Sequence, residues 1–113
     1  MAYDERLADR LRAMTADVLG ADTTVVEKKM FGGLALMVDG NMACGVYQDA
    51  VLVRVDPATS ADVLAEPSVR PFDMGRGPSE GWVLVDPAGV ADDPELRRWV
   101  QRSTSYARTL PPK

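Results

Sequence analysis

The chain has 113 residues, enough to build one hydrophobic core and too few for two independent ones. Its 46% hydrophobic and 27% charged content excludes a disordered polymer, in which apolar residues are too few to offset chain entropy. A net charge of −4 excludes the basic footprint of a phosphate-backbone binder, and the absence of histidine excludes Ser–His, Cys–His and His-ligand chemistry.

The chain opens with Met1-Ala2-Tyr3-Asp4-Glu5-Arg6, which has neither the n-region nor the h-region of a secretory leader. From Asp4 to Leu19 the apolar residues Leu7, Leu11, Met14 and Val18 recur at helical spacing, with Arg6, Asp9, Arg10 and Arg12 mostly off that stripe. Gly20 follows as a helix stop.

The period then changes to that of strands. Thr24 to Met30 begins β-branched and ends at Phe31-Gly32-Gly33; Leu34 to Val38 is followed by Asp39-Gly40-Asn41, a strong hairpin signal because Asp and Gly tolerate positive φ. Met42 to Tyr47, a turn at Gln48-Asp49-Ala50, and Val51 to Val55 complete an antiparallel meander. Asp56-Pro57 ends the last strand and starts a short helix, with Asp56 as N-cap, Ala61, Leu64 and Ala65 facing inward, and Pro67 as its end. Val69 to Phe72 and Gly81 to Val85 form a second hairpin across Gly75-Arg76-Gly77-Pro78-Ser79-Glu80. The acids Asp92-Asp93 beside Pro94 read as helix capping, and Leu96, Trp99, Val100, Tyr106 or Ala107, and Leu110 form the stripe of a last helix that Pro111-Pro112 ends.

The order α, three or four strands, α, two strands, α predicts a single α+β domain over residues 1–113, with two layers and the long helices on one face of a curved antiparallel sheet. Strand parity then places Ala35, Met37, Leu52, Trp82 and Leu84 together on the other face, which those helices do not reach. That face reads as a dimer interface, as a small-molecule groove near Met37, Leu52 and Trp82, or as scattered exposed apolar residues.

Few residues suggest chemistry. Cys44 is the only cysteine, which excludes an internal disulfide and, with the absence of a membrane-length apolar run, points to the cytoplasm. It lies mid-strand with Met42 and Val46 on its side, as a buried hydrophobe rather than a reactive thiol. Phe31-Gly32-Gly33 lacks the Lys-Ser/Thr ending of a phosphate loop, and Gly75-Arg76-Gly77-Pro78 is not followed by a helix, so both read as turns. The neighbouring Lys28 and Lys29 go to opposite faces and do not form one anion site. No catalytic residue, metal ligand or cofactor site is predicted.

The last 21 residues, 93–113, carry five basic and two acidic side chains, against eight and fifteen in residues 1–92. Arg97, Arg98, Arg102 and Arg108 are either a solvated helix face favoured by the dipole or a docking site for an anionic partner. Direct nucleic-acid binding is expected to be weak, because the rest of the chain repels a polyanion.

The run Glu27-Lys28-Lys29-Met30-Phe31-Gly32-Gly33-Leu34-Ala35-Leu36-Met37-Val38-Asp39-Gly40-Asn41-Met42 resembles the opening signature of the TfoX/Sxy N-terminal domain family. The likeness continues through Val51-Leu52-Val53-Arg54-Val55, Pro71-Phe72 and Asp93-Pro94-Glu95-Leu96-Arg97-Arg98-Trp99, covering roughly residues 7–107. It implies a two-layer α+β domain similar to secretion-chaperone-like folds, in which dimers are common. It also implies a link to bacterial transcriptional regulators of competence that act with the cyclic-AMP receptor protein. Full-length regulators carry a second, C-terminal helical domain, and this chain is expected to act without one. The motif residues Lys29, Met30, Phe31, Gly32, Gly33, Asp39 and Gly40 are implied to be structural. The resulting expectation is a non-enzymatic regulatory or protein-interaction domain, a homodimer with a partner such as a transcription factor. Its contact surfaces would be Met37, Leu52, Trp82 and Leu84 on the sheet and Arg97, Arg98 and Arg102 on the last helix.

Overall fold

The computed structural model describes residues 3–73, 75 and 77–112. Of the readings above, those on Met1, Ala2, Arg76 and Lys113 lie outside the described residues.

Helix α1 (Glu5–Leu19) starts where the Asp4 carboxylate accepts hydrogen bonds from the backbone N–H groups of Arg6 and Leu7. It ends at Gly20, φ +78°, whose N–H bonds the Ala16 carbonyl. Strands β1 (Val25–Met30), β2 (Gly33–Val38), β3 (Asn41–Tyr47) and β4 (Ala50–Arg54) form the expected meander. Two of its turns need two successive residues with positive φ, at Phe31 (47°) and Gly32 (75°) and at Asp39 (52°) and Gly40 (82°). That geometry matches the right-handed twist of the flanking strands.

Asp56 caps a 3₁₀ turn, Pro57–Thr59, that runs into the short helix α2 (Ser60–Leu64). Here the inward face differs from expectation: Ser60 and Val63 are buried and Ala61 and Ala65 are exposed, with Leu64 half-buried. The first turn winds at three residues rather than 3.6, which shifts the phase of everything after it. Strands β5 (Val69–Asp73) and β6 (Pro78–Val85) make the second hairpin, and a 3₁₀ turn, Pro87–Val90, that the sequence pattern does not reveal inserts Val90 into the core. Helix α3 (Asp93–Ala107) is capped by Asp92, whose carboxylate accepts from the Glu95 N–H, with Pro94 in the first turn. Its buried stripe is Leu96, Trp99, Val100, Ser103, Thr104 and Ala107, while Leu110 lies beyond the helix end.

The six strands form one antiparallel sheet in the order β1-β2-β3-β4-β6-β5. Helices α1 and α3 pack on each other and on one face of it, over Leu34, Leu36, Val38, Val46, Val51, Val53, Val83 and Val85. The result is the predicted two-layer α+β arrangement. One parity assignment changes. Leu36 pairs with Cys44 but Met37 with Met42, so Ala43 is an extra residue in β3. This bulge sends Met42 to the opposite face from Cys44 and Val46, correcting the expectation that the three share a side.

Candidate interaction surface

The face of the sheet away from the helices holds a second apolar cluster. Ala35, Met42, Ala50, Leu52, Phe72 and Leu84 are buried in it, and Phe31, Met37, Tyr47 and Trp82 are partly buried around them. Among the described residues every member of this cluster comes from a strand or from the β1–β2 turn, and α1 and α3 lie on the opposite face, so the sheet curls and covers itself. Phe31, Tyr47 and Phe72 form a mutual aromatic triad with ring centroids 5.5 to 6.2 Å apart and steeply inclined planes. Glycines permit the curl. A Cβ on Gly33 would overlap the Val46 carbonyl oxygen and the Phe31 ring, and one on Gly45 would overlap the Leu34 carbonyl oxygen. These two glycines flank the Leu34–Val46 pair, where β2 and β3 approach each other.

The predicted contact residues therefore separate. Leu52 and Leu84 are 1% and 2% exposed and form the floor of the cluster. Met37 and Trp82 remain half-exposed at its rim. At the Trp82 end, the Arg54 guanidinium lies 5.0 Å from the Trp82 ring centroid and 5.8 Å from that of Tyr106, and it donates to the Met42 carbonyl. At the other end Val26 and Met30 on β1 are 49% and 43% exposed. They share this face, since Val26 stands opposite Met37 and Met30 opposite Gly33. Lys29 and Asp39 are exposed, Lys29 on the helix side of β1 opposite Leu34.

The arginines of α3 are not gathered at the apolar rim and are held within the chain. Arg97 pairs with Asp17 of α1, Arg98 with Glu95 and Glu66, and Arg102 with Glu66. The guanidinium groups of Arg98 and Arg102 also lie 4.8 and 4.9 Å from the Trp99 ring centroid, so Glu66 fastens the end of α2 to α3 across an aromatic side chain. Burial pushes the Glu66 carboxyl up, but hydrogen bonds from Arg102 and Arg98 outweigh it and hold the group below the usual carboxylate range. The same contact with Glu66, followed by that with Glu95, raises Arg98.

Cys44 is fully buried between the sheet and the helices, and its Sγ lies 3.9 Å from Thr15 Oγ1. Burial pushes its thiol up to about 11, against the lowering effect of hydrogen bonds with Thr15 and Ser103. Asp73 Oδ1 accepts from the N–H groups of Gly75 and Gly77, at 2.7 and 3.1 Å, so a carboxylate of the chain occupies the place a phosphate would take in that glycine turn. Among the described residues no three or more Cys, Asp or Glu side chains are arranged to hold a metal ion, and no helix is long and apolar enough to cross a membrane.

Sequence reasoning missed Tyr47 and Phe72 as partners of Phe31, and Glu66 as the anchor of the arginines. An available signal was the same-face parity of Tyr47 with Gly45 and Ala35, small residues over which a large ring can lie.

A curled antiparallel sheet with two long helices on one face and an apolar rim on the other defines a two-layer α+β domain. The chain belongs to the TfoX N-terminal domain family, whose sequence model matches residues 17–107. Searches of curated proteins and of solved structures returned no match.

Proposed function

We propose that this chain is a non-enzymatic regulatory domain of the bacterial cytoplasm that acts by binding proteins, including a second copy of itself. The observation that carries this reading is the apolar rim of Val26, Met30, Phe31, Met37 and Trp82, on the side of the sheet opposite α1 and α3. Membership of a family named for competence regulators favours a transcription factor as the other partner. Direct nucleic-acid contact by α3 is disfavoured, because the carboxylates of Asp17, Glu66 and Glu95 already neutralise Arg97, Arg98 and Arg102.

The test is capture of partners by immobilised wild-type chain beside Met37→Glu and Trp82→Glu variants. Recovery of a transcription factor by wild type, and its loss with the folded variants, is the expected result. Equal recovery by all three would overturn the assignment of the surface.

A second reading, small-molecule binding, is favoured by a different place from the groove expected near Met37, Leu52 and Trp82. A cleft of about 510 Å³ lies between α2 and the C-terminal half of α3, with Val55, Val63 and Tyr106 beside Asp62, Glu66 and Arg102. Reproducible thermal stabilisation by a metabolite, abolished by Tyr106→Ala, would favour this reading.

A further inference from the structure

β1 and β5 are the two outer strands of the sheet, and among the described residues one edge of β1 has no strand beside it. Its side chains alternate between faces, with Val26, Lys28 and Met30 on the apolar-cluster side and Glu27 and Lys29 on the helix side. Val26 and Met30 are the large apolar side chains left exposed among the described residues, and both belong to this one edge strand. Such a strand favours another strand as its occupant.

We propose that the occupant is β1 of a second copy, paired antiparallel about a twofold axis through Lys28. This assignment rests on the reading of the chain as a self-associating domain and specifies the contact. Side chains on opposed strands must share a face, so only registers centred on a residue are allowed. Centring on Lys28 places Val26 opposite the partner's Met30 and Glu27 opposite the partner's Lys29, and the twofold repeats both pairs. Centring on Glu27 sets that acid against itself and Val26 against Lys28. Centring on Lys29 sets that base against itself and Met30 against Lys28. The Lys28 register alone among these joins the exposed apolar residues to each other and acid to base.

Glu27 can take part, because Arg12 Nε engages only its Oε2, at 2.8 Å, and leaves Oε1 for the partner's lysine. The unfavourable element is Lys28 opposite its own copy. Its long stem covers apolar surface while the ammonium bends away into water. The paired sheets would bring the apolar rims of both copies into one continuous surface, and the flanking charges Glu27 and Lys29 are complementary to their own reverse, which favours a second copy over an unrelated strand.

The test combines light scattering at high micromolar concentration with cysteine cross-linking of folded variants. Wild type is expected to be a dimer, and Met30→Lys to associate about tenfold more weakly through loss of both cross-strand apolar pairs. Lys28→Gln should tighten the dimer by removing the like-charge contact, and Lys28→Glu mixed with wild type should form the mixed dimer in preference to either parent. Under mild oxidation Lys28→Cys should cross-link to itself, whereas Glu27→Cys should cross-link only when mixed with Lys29→Cys. A monomer at every concentration would overturn both the pairing and the self-association on which it rests. A dimer insensitive to Met30→Lys that fails to cross-link through Lys28→Cys would overturn the pairing and leave self-association standing.

Discussion

The Phe72 ring of β5 meets the Phe31 ring of the β1–β2 turn nearly edge-on, at 72° and with centroids 5.9 Å apart. Four strand steps separate β2 from β5 in the sheet order, which in a flat sheet amounts to about 19 Å. Contact between the two rings therefore measures how far the sheet has curled. The curl is what buries Leu52 and Leu84 without a covering helix and leaves Met37 and Trp82 at the rim.

Phe72→Ala is expected to destabilise the fold by about 3 kcal/mol, because the side chain is almost fully buried and its loss opens the triad. Phe31→Ala, at a half-buried position, should cost less. The coupling between the two substitutions in a double-mutant cycle should be about 1 kcal/mol, read from urea unfolding. Strict additivity would show that the rings touch without stabilising the curl.

Gly33→Ala and Gly45→Ala should each cost about 1–3 kcal/mol, because the added methyl group meets a carbonyl oxygen of the neighbouring strand. Gly32→Ala has open space around the new Cβ and only the φ of +75° to oppose it, so its cost should be about 1 kcal/mol. Chemical denaturation of the three variants gives the order. A Gly32 substitution more harmful than either of the others would contradict the close approach of β2 and β3.

Glu66→Gln should lower stability at neutral pH by about 1 kcal/mol, since it weakens ion pairs to two partly exposed arginines, and added salt should narrow the difference. The Glu66 carboxyl titrates lower in the folded chain than in the unfolded one. Its stabilisation is therefore complete above the ordinary glutamate value of about 4.3 and is lost as pH falls through the lower folded value. Thermal unfolding of both proteins across this range should give a constant gap from neutral to mildly acidic pH that closes in stronger acid.

Cys44 should be unreactive toward a bulky thiol reagent in the folded protein, because the side chain is fully buried and its thiol is held up to about 11. Modification followed by mass spectrometry should proceed at the rate of opening and accelerate in denaturant. Rapid stoichiometric labelling under native conditions would place the thiol at the surface.

Much of the architecture is legible because it depends on local chemistry. Asp39-Gly40 and Phe31-Gly32 specify hairpins through the φ values they tolerate, and the 3.5-like recurrence of Leu7, Leu11, Met14 and Val18 specifies the packed face of α1. Where a single residue breaks the period, parity fails. The extra Ala43 turns Met42 away from Cys44, and the 3₁₀ turn at Pro57–Thr59 rotates α2 so that Val63 rather than Ala61 enters the core.

The sequence by itself determined the α+β class, the family and the order of elements, because turns, caps and hydrophobic periodicity act between residues a few positions apart. It also determined that histidine chemistry is absent. Only the tertiary structure decided which side chains remain available for contact. Arg98 and Arg102 look like a free basic face in the helix pattern, yet Glu66, remote from both in the sequence, holds them. Leu52 and Leu84 share a face with Trp82 by parity alone, yet the curl of the sheet buries them and leaves Val26 and Met30 exposed at the edge. Both outcomes depend on how the sheet bends and which distant side chains then meet, and no period within a single element records that.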